Sequence, residues 1–254
     1  DNQALPTPFQ SRGARGVNNL SAKLLLTLFP PSSPFIKFQI DDFTLAEIEA
    51  ERAPVEEGLA SMERAVNDEV EGKAMRVPLH ETLRHLIVTG NACMYVSPDN
   101  SVRTFHIDQF VVRRDPQGEV LDIIIKEEMS RELFMDIFGT PPPSASNTGS
   151  DGDDKPLDLY TVVKRVKDKY KIHQEVTDKI IPGTDSIVPK EKNPYLALRF
   201  SRIDGEDYGR GFVEEYLGDL RALEGLSKAI LEGSAAAARA IFLVRPNGTT
   251  KLKT

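Results

Sequence analysis

The sequence predicts an α+β fold, and three observations carry that prediction. Apolar residues recur at helical spacing up to Gly90, β-branched and aromatic residues dominate two stretches between positions 91 and 203, and helical spacing returns from position 209 onward. At 254 residues the chain can form one large domain or two unequal ones with a sizeable core.

The first helix is read in "ARGVNNLSAKLLLTLF", where Val17, Leu20, Leu24, Leu25 and Leu28 form an apolar stripe that Pro30 and Pro31 terminate. A second follows in "PVEEGLASMERAVNDEV". Pro54 suits a first helical turn, and Val55, Leu59, Met62, Val66 and Val70 share one face. A third runs through "PLHETLRHLIVTG" and stops at Gly90. These are packing helices.

Strands come next, in "ACMYVS", "VRTFHI", "QFVVRRD" and "EVLDIII". The "DPQG" at Asp115 to Gly118 has type I turn chemistry, so a hairpin is expected there. A short helix, "SRELFMDIFG", follows; the stretch Thr140 to Pro156 carries no core-forming residue and reads as a mobile loop. "DLYTVVKRVKDKYKIHQEV" alternates apolar and basic residues as a hairpin exposed on one face would, and "YLALRFSRI" is one more strand. No solenoid-length repeat is present.

The last element is the longest. Val213, Tyr216, Leu217, Leu220, Leu223, Leu226 and Ile230 keep spacings of three and four, and Gly233, Ser234, Ala235, Ala236, Ala237 and Ala238 continue with small side chains. Taken as unbroken, this predicts about 30 helical residues spanning some 45 Å, either as a core helix of one domain or as a rod that leaves its domain. The alanines favour helix and allow a neighbouring backbone to come close. Asp204, Glu206, Asp207, Glu214 and Glu215 crowd the start, where acids suit the helix dipole.

Composition excludes several classes. A formal net charge of −7 argues against a protein that coats nucleic acid by neutralising phosphates, while fitting a surface that DNA slides past. No run approaches the roughly 18 apolar residues of a membrane span, and the first residues show no signal-peptide pattern. A cytosol-type protein or part of an assembly is expected. The single cysteine, Cys93, excludes an intrachain disulfide, and its apolar setting in "NACMYV" reads as a buried thiol rather than a nucleophile. The chain opens on Asp1 and stops at "NGTTKLKT", which reads as part of a longer polypeptide.

No catalytic, cofactor or metal site is legible. There is no phosphate-cradling glycine loop. The step of five in "HETLRH", His80 to His85, puts the two imidazoles on different helix faces, unlike a zinc protease helix. "DGDD" at Asp151 to Asp154 lacks the spacing of a calcium loop. The arginines of "GARG" and "YGRG" could hold an anion, but turn chemistry explains their glycines equally well. The basic run is less easily set aside. Lys164, Arg165, Lys167, Lys169 and Lys171 gather in an otherwise acidic chain, as a solvated sheet face or as a contact surface for DNA or an acidic protein.

Four stretches, "RGARGVNNLSAKLLLTLFP", "LRHLIVTGNACMYV", "FVVRRDPQGEVLDI" and above all "RIDGEDYGRGFVEEYLGDLRALEGLSKAI", resemble the portal, or head-to-tail connector, proteins of short-tailed bacteriophages (podoviruses) in the same order along nearly the whole chain. The resemblance implies a portal fold with a mixed helical and β wing, a long helical stem and a small β-rich clip. It divides the chain into a wing over residues 1–126, a short stem helix over 127–139, a loop and clip over 140–203, and the long stem helix over 204–241. Residues 242–254 would return toward the wing, and the tunnel loop and crown would lie beyond Thr254.

The function so implied is structural. Such proteins form a ring, typically of twelve subunits, at one capsid vertex of the virion; DNA is packaged and ejected through its channel. Implied partners are identical subunits, the terminase packaging motor, tail adaptor and tail proteins, major capsid and scaffold proteins, and double-stranded DNA, with assembly in the host cytoplasm. No cofactor and no membrane is implied. The candidates for the channel face are Glu214, Glu215, Asp219 and Glu224; those for partner or DNA contact on the clip are Lys164, Arg165, Lys167, Lys169 and Lys171. Gly233 through Ala238 are the candidates for stem packing, with the leucine stripe turned toward its own subunit. A monomeric or non-ring adaptor or scaffold would keep the helices and lose the ring, whereas an enzyme would need residues that none of these motifs supplies.

Overall fold

The computed structural model describes residues 7–31, 33–40, 52–141 and 156–239. The chain divides into two compact units, Gly16–Glu215 and a smaller one formed by Asp1–Arg15 with Tyr216–Thr254. The expected α+β class holds, with helices beside antiparallel sheets.

In the larger unit the expected helices are present as α1 (Arg12–Leu28, whose first residues belong to the smaller unit), α2 (Arg52–Gly72) and α3 (Arg76–Thr89). The α2 stripe is half-buried at Val55, Leu59, Val66 and Val70, while Met62 is exposed. Thr82, Leu83, Leu86 and Ile87 form the buried face of α3, and Gly90 ends the helix in the left-handed region at φ 76°, its N–H donating to the Leu86 carbonyl. His80 lies 3.0 Å from the Ser21 hydroxyl, whereas His85 meets His106 edge to face with centroids 4.9 Å apart, so the two imidazoles do leave the helix on different sides.

Two sheets hold this unit together. The smaller has the order β2-β1-β9, built from β1 (Asn91–Val96), β2 (Val102–Phe105) and, far along the chain, β9 (Tyr195–Arg199). The larger runs β3-β4-β5-β6-β7, with β8 also on β6: β3 (Phe110–Arg114), β4 (Val120–Met129), β5 (Leu157–Val166), β6 (Lys169–Val176), β7 (Lys179–Ile180) and β8 (Ser186–Pro189). The "DPQG" stretch turns β3 into β4, with the Gly118 N–H donating to the Asp115 carbonyl at 2.8 Å. The period of two settles the faces. Phe110 and Val112, Ile123 and Ile125, Val163, and Tyr170 and Ile172 share the inner face and join Cys93 and Phe105 of the smaller sheet in one buried cluster. Burial pushes the Cys93 thiol up to about 12, as suits a packing residue rather than a nucleophile.

The short helix is α4 (Arg131–Phe138), capped by the Ser130 hydroxyl at one end and by left-handed Gly139 at the other. Its Phe134, 1% exposed, packs with Leu159, Val176 and Ile181. β4 pairs with β5 along eight residues from Asp122↔Lys164 to Met129↔Leu157, so the sequence boundary drawn at residues 126/127 falls inside one strand of one sheet. The loop reading of Thr140 to Pro156, "DGDD" and the return from residue 242 lie wholly or largely outside the described residues.

The long final helix is not continuous. It consists of α5 (Phe212–Glu215) and α6 (Leu217–Ala237), separated by Tyr216 at φ −100°, ψ 12°. The 21 residues of α6 span about 32 Å. The apolar spacing runs through the break in phase because a one-residue departure from helical dihedrals shifts no side chain out of sequence register.

Candidate functional site

The segment that carried most of the sequence resemblance begins with a close contact in the larger unit. Gly209 and Gly211 lie against Gly90: a β-carbon on Gly90 would come 2.3 Å from the Arg210 carbonyl carbon, and one on Gly211 would come 2.5 Å from the Gly90 nitrogen. Asn91, 3% exposed, donates from Nδ2 to the Gly209 carbonyl at 2.8 Å and accepts the Gly209 N–H at 2.7 Å. The "YGRG" glycines therefore exist for close approach, and Arg210 is engaged by Glu214 at 2.6 Å and Glu206 at 3.2 Å. Tyr208 and Asp207 close the open edge of β3: the Tyr208 hydroxyl accepts the Val112 N–H at 3.2 Å, and Asp207 Oδ1 accepts the Arg114 N–H at 2.7 Å.

The basic hairpin is β5-β6. Lys164 stands opposite Lys171 and Val166 opposite Lys169 on the outer face, with Lys167 at the turn in the left-handed region at φ 58°. Lys164, Lys167 and Lys169 are exposed and make no ion pair with any described residue; Lys171 is 3.1 Å from Asp185. Arg165 alternates to the inner side, where Nη1 donates to Glu119 at 2.6 Å. Glu119 also pairs with Lys190, and these two hydrogen bonds, Lys190 first, hold its carboxyl below the ordinary range. The run of five thus divides into four outward cations and one inward ion-pair member. The single helical turn after β8, Lys190–Lys192, adds two lysines that the sequence reading missed: Lys190 donates its N–H to the Asp168 carbonyl at 3.1 Å, beside the hairpin turn, and Lys192 is exposed. "VPKEKNP" held that signal, but only the β6-β8 pairing brings it to the hairpin.

Of the four acidic candidates, Glu214 and Glu215 belong to α5 in the larger unit, and both are exposed, Glu214 being paired with Arg210. In the smaller unit Asp219 is exposed, whereas Glu224 is half-buried and its Oε1 accepts the Phe9 N–H at 2.7 Å. The Lys228 ammonium lies 5.8 Å from the Phe9 ring centroid.

This N-terminal strap covers only one sector of α6. Leu220, Glu224 and Ser227 are half-buried; Leu223, Leu226 and Ile230 are exposed, at 38%, 62% and 66%. Among the described residues, then, the leucine stripe is left largely uncovered, because at 100° per residue its apolar arc is wider than the segment around Phe9 can cover. Gly233 to Ala237 end the helix, Ala238 caps it, and all six small residues are exposed.

Comparison with known proteins is decisive at this point, since the model of the bacteriophage head to tail connecting protein family matches residues 1–254. The chain belongs to that family. It is 38% identical to the portal protein of Enterobacteria phage T3 over 259 aligned positions, covering 96% of this chain and 47% of that protein. It is 35% identical to the portal protein of Escherichia phage T7, with 96% and 47% covered, and 29% identical to that of Enterobacteria phage SP6, with 98% and 49% covered. The chain spans about half the length of the curated relatives it matches. The family is one of structural connectors rather than enzymes. No helix among the described residues is long and apolar enough to cross a membrane.

Proposed function

We propose that this chain is the wing, stem and clip portion of a portal subunit that closes with identical copies into a ring at one capsid vertex, through which DNA is packaged and ejected. The observation that carries the reading is the surface of α6 that no described residue covers. Leu223, Leu226, Ile230, Gly233 and Ala237 follow spacings of three and four as one seam, and Gly218, Ala222, Gly225 and Ala229 form a second, flat seam about a quarter of a turn away. A β-carbon on Gly218, Gly225 or Gly233 would meet nothing within 4 Å. Two unlike faces on one helix suit a heterologous contact, in which the leucine seam of one copy seats on the small-residue seam of the next and the rotation closes into a ring. The narrowing of the seam from Leu to Gly and Ala lets the rods converge at that end.

Glu214, Glu215 and Asp219 are proposed for the channel face, where carboxylates keep phosphates from sticking within a Debye length of about 8 Å. Glu224, already bonded to Phe9, contributes less there. Lys164, Lys167, Lys169 and Lys171, with Lys192, form the proposed docking patch for the terminase motor and the tail adaptor.

Electron microscopy and mass measurement of the full-length protein test the reading. Wild type is expected to form closed rings, and the double variant Leu226→Asp, Ile230→Asp to remain a folded protomer with unchanged helicity. Rings of normal size from the double variant, or protomers alone from wild type, overturn it.

A further inference from the structure

We propose that Arg114, Arg199 and Arg202 form a carboxylate receptor, filled by an acidic side chain of another polypeptide. Three guanidinium groups converge on one turn residue, Gly118. Arg114, at the end of β3, donates from Nη1 to the Gly118 carbonyl at 3.1 Å, from Nη2 to the Ala197 carbonyl at 2.9 Å and from Nε to the Asp207 carbonyl at 2.9 Å. Arg199, at the end of β9, reaches the same Gly118 oxygen with Nη2 at 3.5 Å and the Glu206 carbonyl with Nη1 at 2.9 Å. A β-carbon on Gly118 would lie 2.7 Å from Arg199 Nη2 and 3.1 Å from Arg202 Cζ, which places the third guanidinium beside the other two.

Main-chain carbonyls hold this cluster in place without cancelling its charge. Neither Arg114 nor Arg199 forms an ion pair with a carboxylate among the described residues, and Arg202 reaches only Asp204, at 3.5 Å, whose side chain is 92% exposed. Arg114 is half-buried; burial first, and then repulsion from Arg199 and Arg202, works against its charge, and the attraction of Asp207 offsets this only in part. One anion shared by the three relieves that repulsion and finds guanidinium donors already fixed, the arrangement in which Arg binds carboxylate in forked geometry. The rim carries Asp204, Glu206 and Asp207 beside Asp115, so stiff duplex DNA, which cannot offer one charge without its neighbours, meets repulsion that a flexible acidic segment avoids by presenting a single carboxylate. The site lies on the side of the larger unit where β3, β9 and the 204–208 loop meet.

Fluorescence anisotropy of labelled hexaglutamate with the full-length protein tests the site. Arg202→Gln, at an exposed position that spares the main-chain hydrogen bonds of Arg114 and Arg199, is expected to weaken hexaglutamate at least fivefold, while Lys164→Glu changes the affinity less than twofold. Hexaglutamine is expected not to bind. The proposal is overturned if Arg202→Gln has no larger effect than Lys164→Glu, or if hexaglutamate does not bind wild type at all. It is equally overturned if a 20-base-pair DNA duplex binds wild type more tightly than hexaglutamate and loses that affinity in Arg202→Gln, which would make the cluster a phosphate site.

Discussion

Asn91 and Gly209, 118 residues apart in sequence, are joined by two hydrogen bonds in which the asparagine amide serves as both donor and acceptor to one main-chain unit. Asn91→Ala leaves a buried N–H and a buried carbonyl without partners and is expected to destabilise the larger unit by about 2 kcal/mol or more, read from urea denaturation of the folded chain. Gly211→Ala should cost still more, because its new methyl would fall within 3 Å of the Gly90 nitrogen and the Val88 and Ile87 carbonyls.

Burial, and then the charge of His106, holds the His85 imidazole below its ordinary pKa. The unfolded chain therefore binds more protons than the folded one as pH falls through about 6.5, and stability declines with acidification until the folded pKa has also been passed. His85→Gln should flatten the stability profile between pH 7 and pH 5.5, and an unchanged slope would show that His85 does not set it.

Cys93 should resist alkylation by iodoacetamide at pH 8 in the native protein and react fully in urea. Its thiol is enclosed, and burial raises its pKa to about 12, so neither access nor thiolate is available without opening the core.

Glu224→Ala removes the acceptor of the Phe9 N–H. Hydrogen exchange at that amide should speed up by roughly fivefold, corresponding to about 1 kcal/mol, with α6 itself unaffected.

Replacing Lys164, Lys167 and Lys169 together with Glu should change unfolding stability by less than about 0.5 kcal/mol, since all three are exposed and lack ion pairs with described residues. Affinity for the tail adaptor, measured by pull-down or titration, should fall at least tenfold; unchanged affinity would remove the hairpin from the docking patch.

The elements that could be read from sequence were those with a long period to read. β-branched and aromatic content marked β1 to β4, alternation marked β5 and β6, and apolar residues three and four apart marked α1 and α2. β7 and β8, two and four residues long, carry too little alternation to stand out. The break at Tyr216 was hidden for the opposite reason, because spacing reports phase along the helix and not the dihedrals of one residue. The basic run was visible as composition, yet its division into outward lysines and an inward Arg165 depends on strand register. Asn91 offered no signal: a single polar residue opening an apolar strand acquires meaning only when Gly209 arrives.

That late arrival shapes how the chain is made. β1 obtains β2 within a few residues, but its other neighbour, β9, is synthesised about a hundred residues later. At roughly 5–20 residues per second, the nascent polypeptide keeps one side of β1 unpaired for about 5–20 s on the ribosome. Through that interval Ala92 and Cys93 lack the cover that β9 later supplies, and subunits whose translation stalls there are the ones chaperones and proteases would meet first.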